Sequence, residues 1–244
     1  MAKDGKPALS TLEDPLVDRL AWRALAKGIG AVIARTARAA IDCNRSEEEI
    51  DPSVVEGSGH LRPSARARGG LGIVPGRTIQ HGYLWRRPIS RRELQERVEL
   101  VHRPYHSAIE AALDTLVHQF GGAILIDCHS MPPPSSGCPP VVIGDCHGVT
   151  AAPWFTARAL QLTRDAGFEA RLNDPFAGGH IVARHGKPKH GVHAIQLEID
   201  RRCYLDAEFT APGREFDRMA ILIERLAVGL GETLLDRLQP VAAE

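Results

Sequence analysis

Four polar clusters each follow an apolar run in this sequence: Asp42-Asn44-Arg45, Asp127-His129-Ser130, Asp145-His147 and Glu198-Asp200. Imidazoles and carboxylates in such company can hold a divalent ion or move a proton. His129 is the strongest candidate for a metal ligand, because a neutral imidazole is a borderline donor suited to zinc and similar ions. Asp127 lies two residues earlier, on the same side of an extended chain. There it can accept the ring N–H and fix the tautomer; capping a helix or pairing with an arginine is its plainer alternative. Glu198 stands inside Ala-Ile-Gln-Leu-Glu-Ile. A carboxylate in such a run is costly unless it is paired or functional, and partial burial suits it to general-base work. Gln196 shares its face and can support it. The alternative for Glu198 is a buried ion pair with an arginine.

A second group of residues suits anion binding. Arg45, beside Asn44 and seven residues after Arg38, offers a planar fork that matches a substrate carboxylate. Asn44 or Arg45 can also steady the oxyanion of a tetrahedral intermediate; surface salt bridges are the alternative. Asn173-Asp-Pro-Phe-Ala-Gly-Gly-His-Ile-Val-Ala-Arg-His-Gly is a glycine-rich turn in which Asn173, Arg184 and His185 can contact substrate or cap the loop. It fits neither a P-loop nor a dinucleotide fingerprint, so no nucleotide is expected. Cys128 or Cys146 with His129 or His147 would make a cysteine hydrolase, but adjacent strand residues point to opposite faces and pair poorly.

The elements that must carry these residues are read from periodicity. A helix is expected from about Asp14 to Lys27, with Asp14 as N-cap and Pro15 after it. Residues 30–35 and 39–45 read as short apolar strands, the second ending at Arg45. Residues 46–80 show little periodicity and read as a loop excursion near the site. Ser90 with Glu93 forms a capping box for a long helix to about Gln119. Strands are expected over 123–130, 141–148, 168–173 and 193–200, with PPPSSGCPP as a rigid loop between the first two. Helices are expected over 152–166 and 213–238. Alternating strands and helices imply an α/β fold in three layers, a mostly parallel or mixed central sheet with helices on both faces. In such sheets ligands bind outside the carboxyl ends of the strands, which would gather the four clusters at one rim. No repeat or linker divides the chain, so residues 1–244 read as one domain.

Lys plus Arg and Asp plus Glu both number 30, and this balance gives no reason to expect nucleic acid as a partner. The opening residues lack the apolar core of a leader, and no apolar run approaches the ~20 residues of a membrane span. Five cysteines without a CxxC pair argue against a disulfide framework or a cysteine zinc site. The sequence reads as cytoplasmic.

Several segments, in order, resemble the N-formylglutamate amidohydrolase (deformylase) family. They are VDRL (17–20), IDCNR (41–45), RPYH (103–106), DCHSMP (127–132), GDCHG (144–148), NDPFAGGHI (173–181) and HGKPKHGVHAIQLEIDRRCYLD (185–206). The resemblance implies a fold similar to zinc carboxypeptidases and aspartoacylases. It implies metal-dependent hydrolysis of the formyl or acyl amide of an acidic amino acid, which in the type case belongs to histidine breakdown. It implies Glu198 as general base, Asn44 and Arg45 as readers of the substrate carboxylate, and His129 as a ligand of a divalent metal, zinc. Asp14 falls where the family has an aspartate in a DTDW-like segment, which makes it a second candidate ligand. The family's opening strand, ending in Pro-His-Ala/Ser-Gly, has no counterpart here. Its loss would leave a sheet edge open to a homo-oligomeric contact. It would also allow a different role, a catalytically impaired relative that binds an acidic amino acid or a protein partner.

Overall fold

The computed structural model describes residues 2–3, 6–59, 63–133 and 137–238. Along the chain run α1 (Lys6–Ser10), α2 (Val17–Leu20), α3 (Trp22–Ala26), α4 (Ala65–Arg68) and a ribbon of β1 (Arg77–Thr78) with β2 (Gly82–Tyr83). Then come α5 (Arg91–Arg97), a π-helical turn at Val98–His102, α6 (Arg103–Phe120), β3 (Ala123–Met131), β4 (Val141–Gly144) and α7 (Pro153–Asp165). Last are β5 (Ala170–Leu172), α8 (His180–His185), β6 (Val192–Asp200) and α9 (Phe216–Leu238). The residues form two compact units: Met1–Glu13 with Val32–Ile109, and Asp14–Ala31 with Glu110–Glu244.

The second unit is built on a four-stranded mixed sheet in the order β3-β6-β4-β5. β3 and β6 are parallel over nine residues, Ala123↔Val192 through Met131↔Asp200. β4 runs antiparallel to β6 and parallel to β5. Because side chains alternate across a strand and paired residues share a face, this register sorts the sheet into two chemistries. One face carries Ile124, Ile126 and Cys128, with Ile195, Leu197 and Ile199 and then Val141 and Ile143. These meet Phe155, Met219, Leu222, Leu226 and Leu230 from α7 and α9 in one core. Each fully buried aliphatic side chain there contributes roughly 1.5–3 kcal/mol. The other face carries Asp127, His129, Gln196, Glu198 and Asp200. Every residue of β6 is buried except Glu198, which is half-buried.

The first unit has little regular structure but its own core, Ile41, Val54, Val55, Ile73, Val74, Ile89, Leu94 and Val98. Residues 46–80, expected to be a loop excursion, supply four of these buried side chains and therefore form part of a folded body. The Ser90 hydroxyl accepts from Glu93 N at 3.1 Å, as a cap should. The carboxylate of Glu93 does not reach back to complete the box; it takes Arg97 four residues on.

Three local expectations change. Residues 30–35 are irregular and mostly exposed, so the run buries no apolar face that would hold it in a sheet. Residues 39–45 form turns instead of a strand. The helix expected over 14–27 is split into α2 and α3; Leu16 sits in the left-handed region at φ 59°, and Asp14 turns its carboxylate to β3 instead of capping. Of the expected rigid loop at 132–140, residues 134–136 lie outside the described residues.

Candidate active site

In the second unit, His129 and Glu198 are register partners on neighbouring parallel strands. Asp127 and Gln196 are partners one step back on the same face. The Gln196 side-chain amide donates to Glu198 Oε1 at 2.8 Å and so orients the carboxylate. His129 lies between two carboxylates, with Nδ1 2.9 Å from Asp14 Oδ2 and Nε2 3.0 Å from Asp127 Oδ1. A carboxylate accepts, so both ring nitrogens are placed to donate. Burial pulls the ring toward neutrality, but the Asp127 and Asp14 charges and hydrogen bonds outweigh it and hold the His129 pKa well above its ordinary value.

Asp14 is held in turn. Its Oδ1 accepts from Ser130 N and from Ser130 Oγ, both at 2.9 Å. The Nε of Arg201, a buried residue just past β6, donates to Ser130 Oγ at 3.1 Å. The buried Tyr204 hydroxyl donates to Pro15 O at 2.8 Å, next to Asp14. Sequence reading does not single out Ser130, Arg201 or Tyr204 for this work. The one available signal is a basic residue following directly on an apolar strand.

The donor set can be tested against a catalytic zinc, which takes three protein ligands and a water. His129 Nδ1 and Asp14 Oδ2 are near enough to share an ion, and Asp127 Oδ2 is a buried oxygen without a hydrogen-bond partner among the described residues. No three His, Cys, Asp or Glu donors of this unit alone lie within 4.8 Å of one another among the described residues. The residues of this unit therefore do not complete a zinc centre.

β4 runs against β3 and β6, so Asp145 and His147 leave the sheet toward the amino-terminal half of β6, away from His129 and Glu198. Asp145 is structural there. Its Oδ1 accepts from Asn173 Nδ2 and Gly148 N, each at 2.8 Å, and its Oδ2 from Thr156 Oγ1 at 2.9 Å. Asn173 Oδ1 also accepts from Asp145 N at 3.0 Å, so the Asn173 amide is engaged by one neighbour on both sides. In α8, Arg184 is exposed and His185 buried. Cys128 packs against the apolar core, and its thiol is pushed up to about 12, first by burial and then by Asp127 and Asp14. It carries no useful thiolate at neutral pH.

In the first unit, the backbone of residues 42–45 is fastened by side chains. Asp42 Oδ1 accepts from Asn44 N at 2.9 Å, and Oδ2 accepts from Arg38 Nε at 3.0 Å with Arg45 Nε at 3.8 Å. His106 Nε2 meets Cys43 O at 3.0 Å and His102 Nε2 meets Arg45 O at 2.8 Å. A carbonyl only accepts, so both rings carry their hydrogen on Nε2. His102 ends the π-helical turn, a feature that recurs at functional sites, and sequence reading misses it. Arg45 Nε donates to Leu71 O at 2.9 Å and Nη1 to Asn44 O at 2.7 Å, which leaves the N–H pair of Nη2 uncommitted among the described residues. Burial lowers the pKa of Arg45, partly offset by Asp42.

A family model described as N-formylglutamate amidohydrolase matches residues 3–205. The N-formylglutamate deformylase of Pseudomonas putida is 29% identical over 187 residues, 73% of this chain and 65% of that protein. The N-formylglutamate deformylase of Pseudomonas aeruginosa is 36% identical over 114 residues, 44% of this chain and 43% of that protein. The chain thus spans less than two thirds of these relatives' length. An N-formylglutamate amidohydrolase from Ralstonia eutropha, a solved structure, is 27% identical with a TM-score of 0.78, covering 91% of this chain and 84% of that one. A gene product of Agrobacterium tumefaciens shares the fold at 15% identity and a TM-score of 0.56, over 82% of this chain and 68% of that one.

Proposed function

Because this chain belongs to the N-formylglutamate amidohydrolase family, we propose that it hydrolyses the amide bond of N-formyl-L-glutamate or a related N-acyl acidic amino acid. The observation that carries the reading is the register that sets His129 beside Glu198 on the polar face of the sheet. Water adds to the acyl carbon while the Glu198 carboxylate takes its proton. The C–N bond then breaks and the proton passes to the leaving nitrogen, giving formate and glutamate in the first case. Gln196 holds the base in place, and Asp127 holds the His129 ring. Arg45, whose Nη2 is uncommitted among the described residues, reads the substrate carboxylate or steadies the oxyanion, with Arg38, Asn44 and Arg184 as further substrate contacts; Asn173, its amide committed to Asp145, supports the loop instead.

The family resemblance brings with it a divalent ion, zinc, with His129 and Asp14 as ligands, and a place in histidine breakdown; the cysteine pattern suits a cytoplasmic setting. The second unit's two described donors do not by themselves make a catalytic zinc site, so no step here is routed through the metal. The family match runs through both units, which supports treating residues 1–244 as one functional domain.

Formate release from N-formyl-L-glutamate, N-formyl-L-aspartate and N-acetyl-L-glutamate tests the reading, with and without added zinc and after chelation. Turnover that is lost on chelation supports it. A folded, zinc-supplemented sample that turns over none of them overturns it. The second unit's own donors, fewer than three within reach of one ion among the described residues, favour a second reading, a relative that binds an acidic amino acid without hydrolysing it. That reading predicts thermal stabilisation by L-glutamate without formate release.

A further inference from the structure

The segments DCHSMP and RRCYLD each contain a buried polar residue with no part in the chemistry above: Ser130 at 6% exposure and Arg201 at 9%. They meet at 3.1 Å, Arg201 Nε donating to Ser130 Oγ. A hydroxyl has one hydrogen. With Arg201 donating into its lone pair, that hydrogen is directed onto Asp14 Oδ1, 2.9 Å away. Ser130 N donates to the same oxygen at 2.9 Å, and the carboxylate's other oxygen takes His129 Nδ1 at 2.9 Å. The backbone beside Asp14 is pinned by Tyr204 through Pro15 O.

We infer that Ser130 and Arg201 are positioning residues: they fix the Asp14 carboxylate, and through it the plane of the His129 ring. A guanidinium, a hydroxyl and a carboxylate in series polarise one another, so the chain is stiffer than its separate bonds. The consequence for turnover rests on the hydrolase reading; the geometric consequence does not.

The test uses the full chain. Ser130→Ala removes the hydroxyl and leaves backbone and core in place. Its kcat is expected to fall about ten-fold, the low end for losing an outer-shell partner, with KM changed by less than about two-fold. Ser130→Thr, which keeps the hydroxyl, restores kcat, and Arg201→Gln lowers it in the same sense. In ¹⁵N-histidine-labelled protein, the ring ¹⁵N resonance of His129 moves or broadens in Ser130→Ala and returns in Ser130→Thr. A serine that only fills space would leave that resonance where it is. If Ser130→Ala and Arg201→Gln lose thermal stability but keep kcat and the His129 resonance, the inference is overturned. If the wild type turns over no N-formyl substrate, the hydrolase reading falls, and the resonance alone decides: a shift in Ser130→Ala upholds the positioning role, and no shift ends it.

Discussion

The two units hold their candidate residues in place by different means. In the second, His129 and Glu198 are set by strand register. Nine consecutive pairs between β3 and β6 fix which residues face each other, and an apolar core behind the sheet keeps the pleat from slipping. In the first, Asn44 and Arg45 stand on a turn that no ladder supports. Asp42, His102 and His106 fasten it by separate side-chain bonds, and Arg97 Nη1 adds another to Ala40 O at 2.7 Å. Register spreads positional control over many residues, so one substitution can remove chemistry and leave geometry intact. A turn fastened bond by bond concentrates control, so one substitution should disturb geometry and stability together.

The largest expected effect sharpens the first half of that contrast. Glu198→Gln keeps the shape and the Gln196 contact but removes the base. Formate release should fall about 10³-fold, within the range for general-base catalysis, while the denaturation midpoint stays at the wild-type value. A variant that unfolds more easily would show that the carboxylate is structural, as in a buried ion pair.

The next tests the second half. Asp42 is 4% exposed and balances Arg38 and Arg45. Asp42→Ala leaves two guanidinium groups facing each other and the Asn44 N–H without its acceptor. The loss should be about 3 kcal/mol in urea unfolding, the scale for breaking a buried charge pair, and Asp42→Asn should recover part of it. If Asp42→Ala is as stable as the wild type, the turn has supports beyond these bonds and the contrast fails.

The same difference explains what could be read from the sequence. β3 and β6 were legible almost to the residue, 123–130 expected against Ala123–Met131 and 193–200 against Val192–Asp200. A buried strand writes itself locally as an apolar run, and the polar residue within it marks the exceptional position. The direction of β4 was not legible, because an apolar run looks the same in either orientation; only the register shows that Asp145 and His147 point elsewhere. The turn at 42–45 reads as a strand in the sequence because part of its order comes from bonds spanning 57 and 63 residues. No window of local pattern contains both partners. Ser130 stands in one of the polar clusters, but its bond to Arg201, 71 residues away, is not legible for the same reason.

The smallest expected effect concerns pH and the second unit alone. His185, buried at the end of α8, has its pKa lowered to about 4, first by burial and then by Arg184, His180 and Lys187. His193 is shifted the same way by burial. A histidine kept neutral in the folded chain takes up a proton on unfolding below about 6.5. Its contribution to stability is therefore complete above that pH and is lost as pH falls toward 4, with a slope of at most about 1.4 kcal/mol per pH unit for one proton. His185→Gln removes one such group, so its urea midpoint should fall less steeply than the wild type's between pH 7 and 5. Parallel curves for the two proteins would mean that His185 titrates alike in the folded and unfolded chains, and that the acid sensitivity lies with other groups.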